Sequence, residues 1–399
     1  MFRGLFLLSF IFWFNNINFS QTLRCGSNPT PSQIPNQSEL EAFTQKWISE
    51  NEFTLQNRSI ITIPVVVHVV WNQTVQNIST EQIQSQIELL NKDFRALNTD
   101  LSTVPAEFQN TIADIEIEFC LAKVDPNGEP TNGITRTFTQ APAILGSTSI
   151  HYNSEGGSDA WDSSKYLNIW VANSNSIAGF GSFPGEDIPE EDGIEINYQN
   201  FGNILVEPPY HLGRTTTHEI GHYLNLCHVW TNDCEDDKVL DTPISSESYL
   251  GKCPVHPSVS CGSNDMFMNF MYWTNDACMA MFTKGQKMRM LATLNGPRAG
   301  LLTSNGCIEV GTNQFEKELN LTVFPNPSLG ILNINFGNKT DLSLLRFELI
   351  HKNGFKTHPN INSSLSTNYF DLSHLPNGIY FLKVSQKDQM FVKKIILAK

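Results

Sequence analysis

Basic residues are few in this chain of 399 residues: 26 Lys and Arg stand against 40 Asp and Glu, and the formal charge of −14 argues against nucleic acid as a partner. The acidic excess fits an exported protein with carboxylates to offer calcium. Long apolar runs are also scarce. One, residues 5–14 of MFRGLFLLSFIFWFNNINFSQ, is too short to cross a membrane. With one early Arg and the small Ser20 before Gln21, it predicts a signal peptide over residues 1–20. No later segment reaches spanning length, so no transmembrane segment is expected. The small residue a lipoprotein anchor needs before Cys25 is missing, because Arg24 stands there. Closely paired cysteines are absent too, which argues against a zinc knuckle from Cys234, Cys253, Cys261 and Cys278. In an exported chain these four fit disulfides that replace hydrophobic bulk in a Pro, Ser and Asp-rich region.

What is present is concentrated in HEIGHYLNLCH, residues 218–228. On a helix, His218 and His222 lie one turn apart on one face with Glu219 beside them. His228 is too far along for a continuing helix, so the chain must turn sharply, and Asn225 is where the turn is expected, since Asn tolerates positive φ best after Gly. Three neutral imidazoles on zinc leave a fourth position for water, whose pKa falls from about 15.7 toward about 7. Glu219 is the expected proton acceptor and peptide-bond hydrolysis the expected reaction. A competing reading, a non-catalytic surface adhesion or binding protein on a protease-like scaffold, would have no need of Glu219.

The pattern resembles the metzincin signature, with Asn225 where most members carry Gly. GRTTTHEIGHYLNLCHVW, then CEDDKVLDTP, then NFMYWTNDACMAMF narrow the likeness to the pappalysin family of metalloproteases, in its bacterial, ulilysin-like branch. That resemblance implies a metzincin-type α/β catalytic domain, a mixed twisted sheet plus helices over an irregular disulfide-bonded lower subdomain. It implies Met271 as the residue of a Met-turn beneath the metal. A Tyr usually stands two residues after that Met; here Tyr272 and Trp273 follow, and either Tyr272 serves the oxyanion from a shifted position, or Trp273 offers an indole N–H, or oxyanion stabilisation is weaker. The resemblance pairs Cys234 with Cys261 and Cys253 with Cys278, leaving Cys120, Cys227 and Cys307. It also implies calcium near NDCEDDKVLDTP, residues 232–243, at a site including Asp241 and the carbonyl of Thr242. Segment RCGS, residues 24–27, resembles the cysteine switch of pappalysin proenzymes, with Cys25 closing the open zinc position.

The organisation expected is a signal peptide 1–20, a propeptide 21–59 cut near Arg58, a catalytic domain 60–308, a linker 309–320 and a C-terminal domain 321–399. ITIPVVVHVV, 61–70, reads as a strand. Ser79 and Gln82 form a capping box ahead of Ile83, Ile87, Leu90, Phe94 and Leu97, a helix reaching about Asn98. Residues 115–121 and 166–171 read as further strands. His68 is expected half-buried, and His151 and His211 solvent-facing or structural. IAGFGSFPG, 177–185, is either a plain surface loop or, as the resemblance implies, the rim strand of the cleft, where an extended peptide could add as a strand. In the tail, alternating strands between Asn-Pro, Asn-Gly and Pro-Asn-Gly turns argue for a small all-β sandwich. LTVFPNPSLGILNINF and the Lys-containing last strand resemble the sorting domain of type IX secretion cargo. The whole is expected to be a zymogen of a secreted or cell-surface endopeptidase, with protein or peptide substrates and the type IX machinery as partners.

Overall fold

A computed structural model describes residues 23–27, 37–51, 60–308, 321–336, 344–351, 356–359, 361–363, 368–386 and 389–399. The expected signal peptide, the cut near Arg58 and the linker 309–320 lie outside them. Helix α1 spans Gln37–Asn51. Strand β1, Ile61–Trp71, is buried along nearly its whole length because its β-branched residues face packed layers on both sides. Its first half pairs in parallel with β2, Ile117–Leu121, and its second half with β3, Ile134–Phe138. On its other edge follow β4, Leu167–Ala172, then β6, Ile194–Asn197, both parallel, and finally the antiparallel edge strand β5, Gly179–Gly181.

Helix α2, Thr80–Phe94, starts where the hydroxyl of Ser79 accepts the N–H of Gln82. It is shorter than its apolar spacing predicts. Ala96 takes a φ of 49° just past its end and breaks the helix before Leu97, which is left exposed. Ile83, Ile87, Leu90 and Phe94 enter the core over the sheet. Gln86 and Asp93 on the same helix are equally buried and hold the next helix, α3, Arg214–Tyr223. Gln86 Oε1 accepts from Thr216 Oγ1 (2.9 Å) and Asp93 Oδ2 from Thr217 Oγ1 (2.8 Å). Arg214 reaches both Asp93 (3.2 Å) and Asp100 (3.0 Å). Every residue of α3 is buried, and Arg214, Thr216 and Thr217 find their partners on α2 and the loop after it. Helix α4, Lys284–Leu294, follows the lower region. Three disulfides join Cys120 to Cys307, Cys234 to Cys261 and Cys253 to Cys278.

His68 departs from its half-buried expectation. It is fully buried, stacked on Trp170 at 5.3 Å, with its nitrogens on Thr135 Oγ1 and Asn168 Oδ1. Burial lowers its pKa to about 4, so it remains neutral. His151 is buried as well, beside Glu195 at 3.3 Å.

The tail forms two antiparallel sheets. One is ordered β10 (Lys356–Thr357), β9 (Arg346–His351), β13 (Gly378–Gln386), β14 (Gln389–Leu397). The other is ordered β11 (Asn362–Ser363), β12 (Asn368–Asp371), β8 (Ile331–Asn335), β7 (Thr322–Phe324). Leu332, Ile334, Leu349, Phe370, Leu382 and Ile395 fill one core between them, the sandwich its period-2 pattern requires. Among the described residues no helix is long and apolar enough to cross a membrane.

Candidate active site

Helix α3 presents His218 and His222 to one side, and the chain then reverses. Asn225 takes a φ of 69°, its N–H donates to the carbonyl of His222 (2.8 Å), and Leu226 N–H returns to Gly221 (2.9 Å). The reversal brings His228 back to the helix. The three Nε2 atoms lie 3.1–3.2 Å apart and all three imidazoles are buried. His218 Nδ1–H donates to the carbonyl of Phe270 and His222 Nδ1–H to that of Leu226, each at 2.7 Å. Those bonds fix the tautomer, so the Nε2 lone pairs of both rings point into the common centre.

Nitrogens about 2.0–2.1 Å from a tetrahedral zinc ion stand about 3.3–3.4 Å from one another, close to the observed triangle. The donor set therefore fits such an ion. Burial first, then mutual repulsion, holds His218 and His228 far below the ordinary histidine range, and burial lowers His222 to about 4. Neutral imidazoles are the ligating form. With Cys25 the trio forms a group whose ligand atoms all lie within 4.8 Å of one another.

Glu219 is fully buried. Its Oε2 accepts the Cys25 thiol at 3.3 Å while Oε1 has no partner. Burial pushes its carboxyl up to about 8 and raises the Cys25 thiol further. The glycine-rich rim strand lies directly against it: a Cβ at Gly179 would come within 2.8 Å of the Glu219 carboxylate. Gly221 is equally constrained from below, since a Cβ there would meet Met271 Sδ at 2.3 Å. Met271 thus sits beneath the helix of the imidazoles, its N–H held by Asn269 Oδ1 (2.9 Å).

Tyr272 is not at this centre. Its side chain is buried on the far side of the turn, with its hydroxyl bonded to Ser245. The next residue, Trp273, lies against His228 instead, its ring at 5.3 Å from the imidazole. Its Nε1–H lies 3.1 Å from His228 Nε2, and Trp230 stacks on the same imidazole at 5.5 Å.

Residues 23–27 run alongside residues 176–181, which include β5. Leu23 N–H donates to Ser176 O (2.9 Å), Ala178 N–H to Leu23 O (2.9 Å) and Gly26 N–H to Gly179 O (2.8 Å), and Leu23 bridges Ile177 in parallel. Arg24, one residue from the thiol, is fully buried. Its guanidinium donates to Asp276 Oδ1 (2.8 Å) and Thr274 O (2.9 Å) and lies over the Tyr210 ring at 4.6 Å. Asp276 is also fully buried, its other oxygen taking the N–H groups of Leu212 and Arg214. Nothing in sequence spacing marks this pocket, because its walls come from residues 210 and 274–279.

The acidic segment folds against the start of α4. Asp241 lies at the start of α4, its two oxygens accepting Thr283 Oγ1 (2.6 Å) and Gly285 N–H (2.9 Å). Thr242 turns inward instead, its hydroxyl 2.8–2.9 Å from both oxygens of buried Asp237 and 2.8 Å from the Val239 carbonyl. Cys227 is a buried free thiol packed on Phe183.

Known proteins resemble the chain in the same two regions. Residues 151–295 match the family model described as pregnancy-associated plasma protein-A, peptidase family M43, and residues 322–398 match the secretion system C-terminal sorting domain. Promirolysin of Tannerella forsythia, solved as a mutant, is 41% identical with a TM-score of 0.61, the match covering 70% of this chain and 97% of that one. Mature mirolysin with a cleaved peptide is 44% identical with a TM-score of 0.58, over 62% of this chain and 97% of that one. An extracellular metalloprotease of Arthroderma otae is 29% identical over 251 residues, 60% of this chain and 80% of that protein. These likenesses bring with them a secreted or cell-surface location, and the chain belongs to the pappalysin family, M43, of metallopeptidases and carries a type IX sorting domain at its C-terminal end.

Proposed function

We propose that the chain is a zinc endopeptidase made as a latent zymogen, with catalytic residues 60–308 released from a propeptide 21–59 and exported through the type IX machinery by residues 321–399. The observation that carries this reading is the convergence of three Nε2 atoms beside a buried carboxylate oxygen without a partner. His218, His222 and His228 would hold zinc. The ion would make water nucleophilic near neutral pH and polarise the scissile carbonyl. Glu219 Oε1 is the proton acceptor and later returns the proton to the leaving amine. Trp273 Nε1–H, 3.1 Å from His228 Nε2, is nearer this centre than Tyr272 and would be the candidate donor to the oxyanion once His228 Nε2 is taken by zinc. An adhesion protein would have no use for a buried unpaired base.

Latency rests on Cys25, whose thiol occupies the cleft on Glu219, and on the leader's pairing with β5. The promirolysin match covers a larger share of this chain than the mature mirolysin match, as it would if the leader were a propeptide. Arg24 marks where a substrate side chain next to the scissile bond would sit, so a basic side chain is the preferred one there.

The test is metal analysis of protein freed of the leader, with 1,10-phenanthroline treatment. One zinc per chain, loss of peptide cleavage on chelation and its return with zinc are expected. Tryptophan emission should change in step, since Trp273 and Trp230 both contact His228. Cleavage surviving complete removal of the metal would refute the reading.

Calcium is proposed within residues 232–243, at a site including Asp241 and the carbonyl of Thr242. Calcium should raise the thermal midpoint by several degrees over EGTA, and Asp241→Asn should cancel the rise. A midpoint indifferent to calcium removes the site.

A further inference from the structure

Cys25 accounts for one end of the leader, but a second contact lies elsewhere. Helix α1 packs against α4. Glu41 Oε1 and Oε2 accept from Arg289 Nη1 (3.0 Å) and Nη2 (2.9 Å), a two-bond fork of the kind that fixes orientation as well as position. Arg289 is 1% exposed. It also reaches the carbonyl of Lys238 (3.3 Å) and, through Nε, that of Asn225 (3.4 Å), the turn residue between His222 and His228. Two residues beyond Glu41, the Phe43 ring lies over Gly296, where a Cβ would come within 2.3 Å of it. Thr44 is fully buried in the same face of α1. Burial would raise the Glu41 carboxyl, yet the guanidinium holds it below its ordinary value, so the pair is energetically coupled.

We propose that α4 carries a docking surface for the leader helix, built on Arg289 and the notch at Gly296, and that this anchor sets how firmly Cys25 keeps the cleft closed. Its occupant is residues 37–51 of the same chain. The physical reason is tethering. A thiol held by a single contact can leave and be replaced by solvent or reagent. Only residues 28–36 separate Ser27 from α1, and a tether this short gives an effective concentration on the order of millimolar. While α1 stays docked, a displaced Cys25 returns. Once α1 leaves, the leader is free along its whole length, and α4 keeps a cation beside a small-residue notch. This inference rests on the latch reading above.

The test uses the intact full chain with its metal. Alkylation of Cys25 by iodoacetamide is followed by peptide mass analysis, so that Cys227 does not contribute, for the parent, Glu41→Ala and Phe43→Ala. Amide exchange of β1 is followed in parallel. Both substitutions should accelerate Cys25 alkylation roughly tenfold or more, with β1 exchange unchanged. Parent-like rates in both variants would overturn the anchor. So would acceleration matched by loss of protection in β1, since that is general loosening. Rapid alkylation of the unaltered chain would overturn the latch itself, and is distinguishable because it needs no substitution.

Discussion

Glu219→Ala, in protein freed of its leader, is expected to lower kcat by on the order of 10³-fold while zinc stays at one per chain. The separation follows from the geometry. His218 and His222 are oriented by the carbonyls of Phe270 and Leu226, not by Glu219, so the imidazole triangle survives the truncation. The carboxylate is buried with one oxygen unpaired, and its removal leaves no orphaned partner in the uncovered cleft. The thermal midpoint should therefore hold or rise. Loss of zinc along with activity would make Glu219 a support of the metal site, and parent-like turnover would remove it from the chemistry.

Asp276→Asn is expected to reduce kcat/KM by about 10²–10³ for peptides with Arg beside the scissile bond, as breaking a buried ion pair costs about 3–5 kcal/mol and each decade is about 1.4. Asn can keep its oxygen on the N–H groups of Leu212 and Arg214, which share Oδ2, while its NH₂ faces the guanidinium and cannot pair with it. Peptides with a neutral residue at that position should be cut at nearly the parent's rate. An equal fall for both classes would mean that the pocket does not read the side chain and that Asp276 only supports the loop.

Much of the centre could be read from one stretch of chain, because helical geometry alone brings His218, Glu219 and His222 together and only a turn of positive φ can return His228. Asn225 supplies that turn within the same segment. Likewise the β-branched run of β1, the capped amphipathic α2 and the period-2 tail dictate their own conformations. Polar residues were less legible. Gln86 and Asp93 look like solvent-facing helix positions, yet they are buried because α3 needs partners for Thr216, Thr217 and Arg214. Helix α1 lacks an apolar stripe strong enough to announce it, and it is secured instead by Glu41 on Arg289, 248 residues away.

The sequence by itself therefore placed His218, Glu219, His222 and Asn225 on one short stretch whose local geometry brings His228 back to them, and motifs at its two ends marked the sorting tail. Only the tertiary structure decided that Trp273 and not Tyr272 contacts the imidazoles, that Asp241 accepts from Thr283 and Gly285 at the start of α4, that Cys120 joins Cys307, and that Arg24 meets Asp276. Each of those depends on which side of a turn a residue falls, or on which distant segment is folded against it. That is set by the packing of the whole chain and leaves no periodic trace in the sequence.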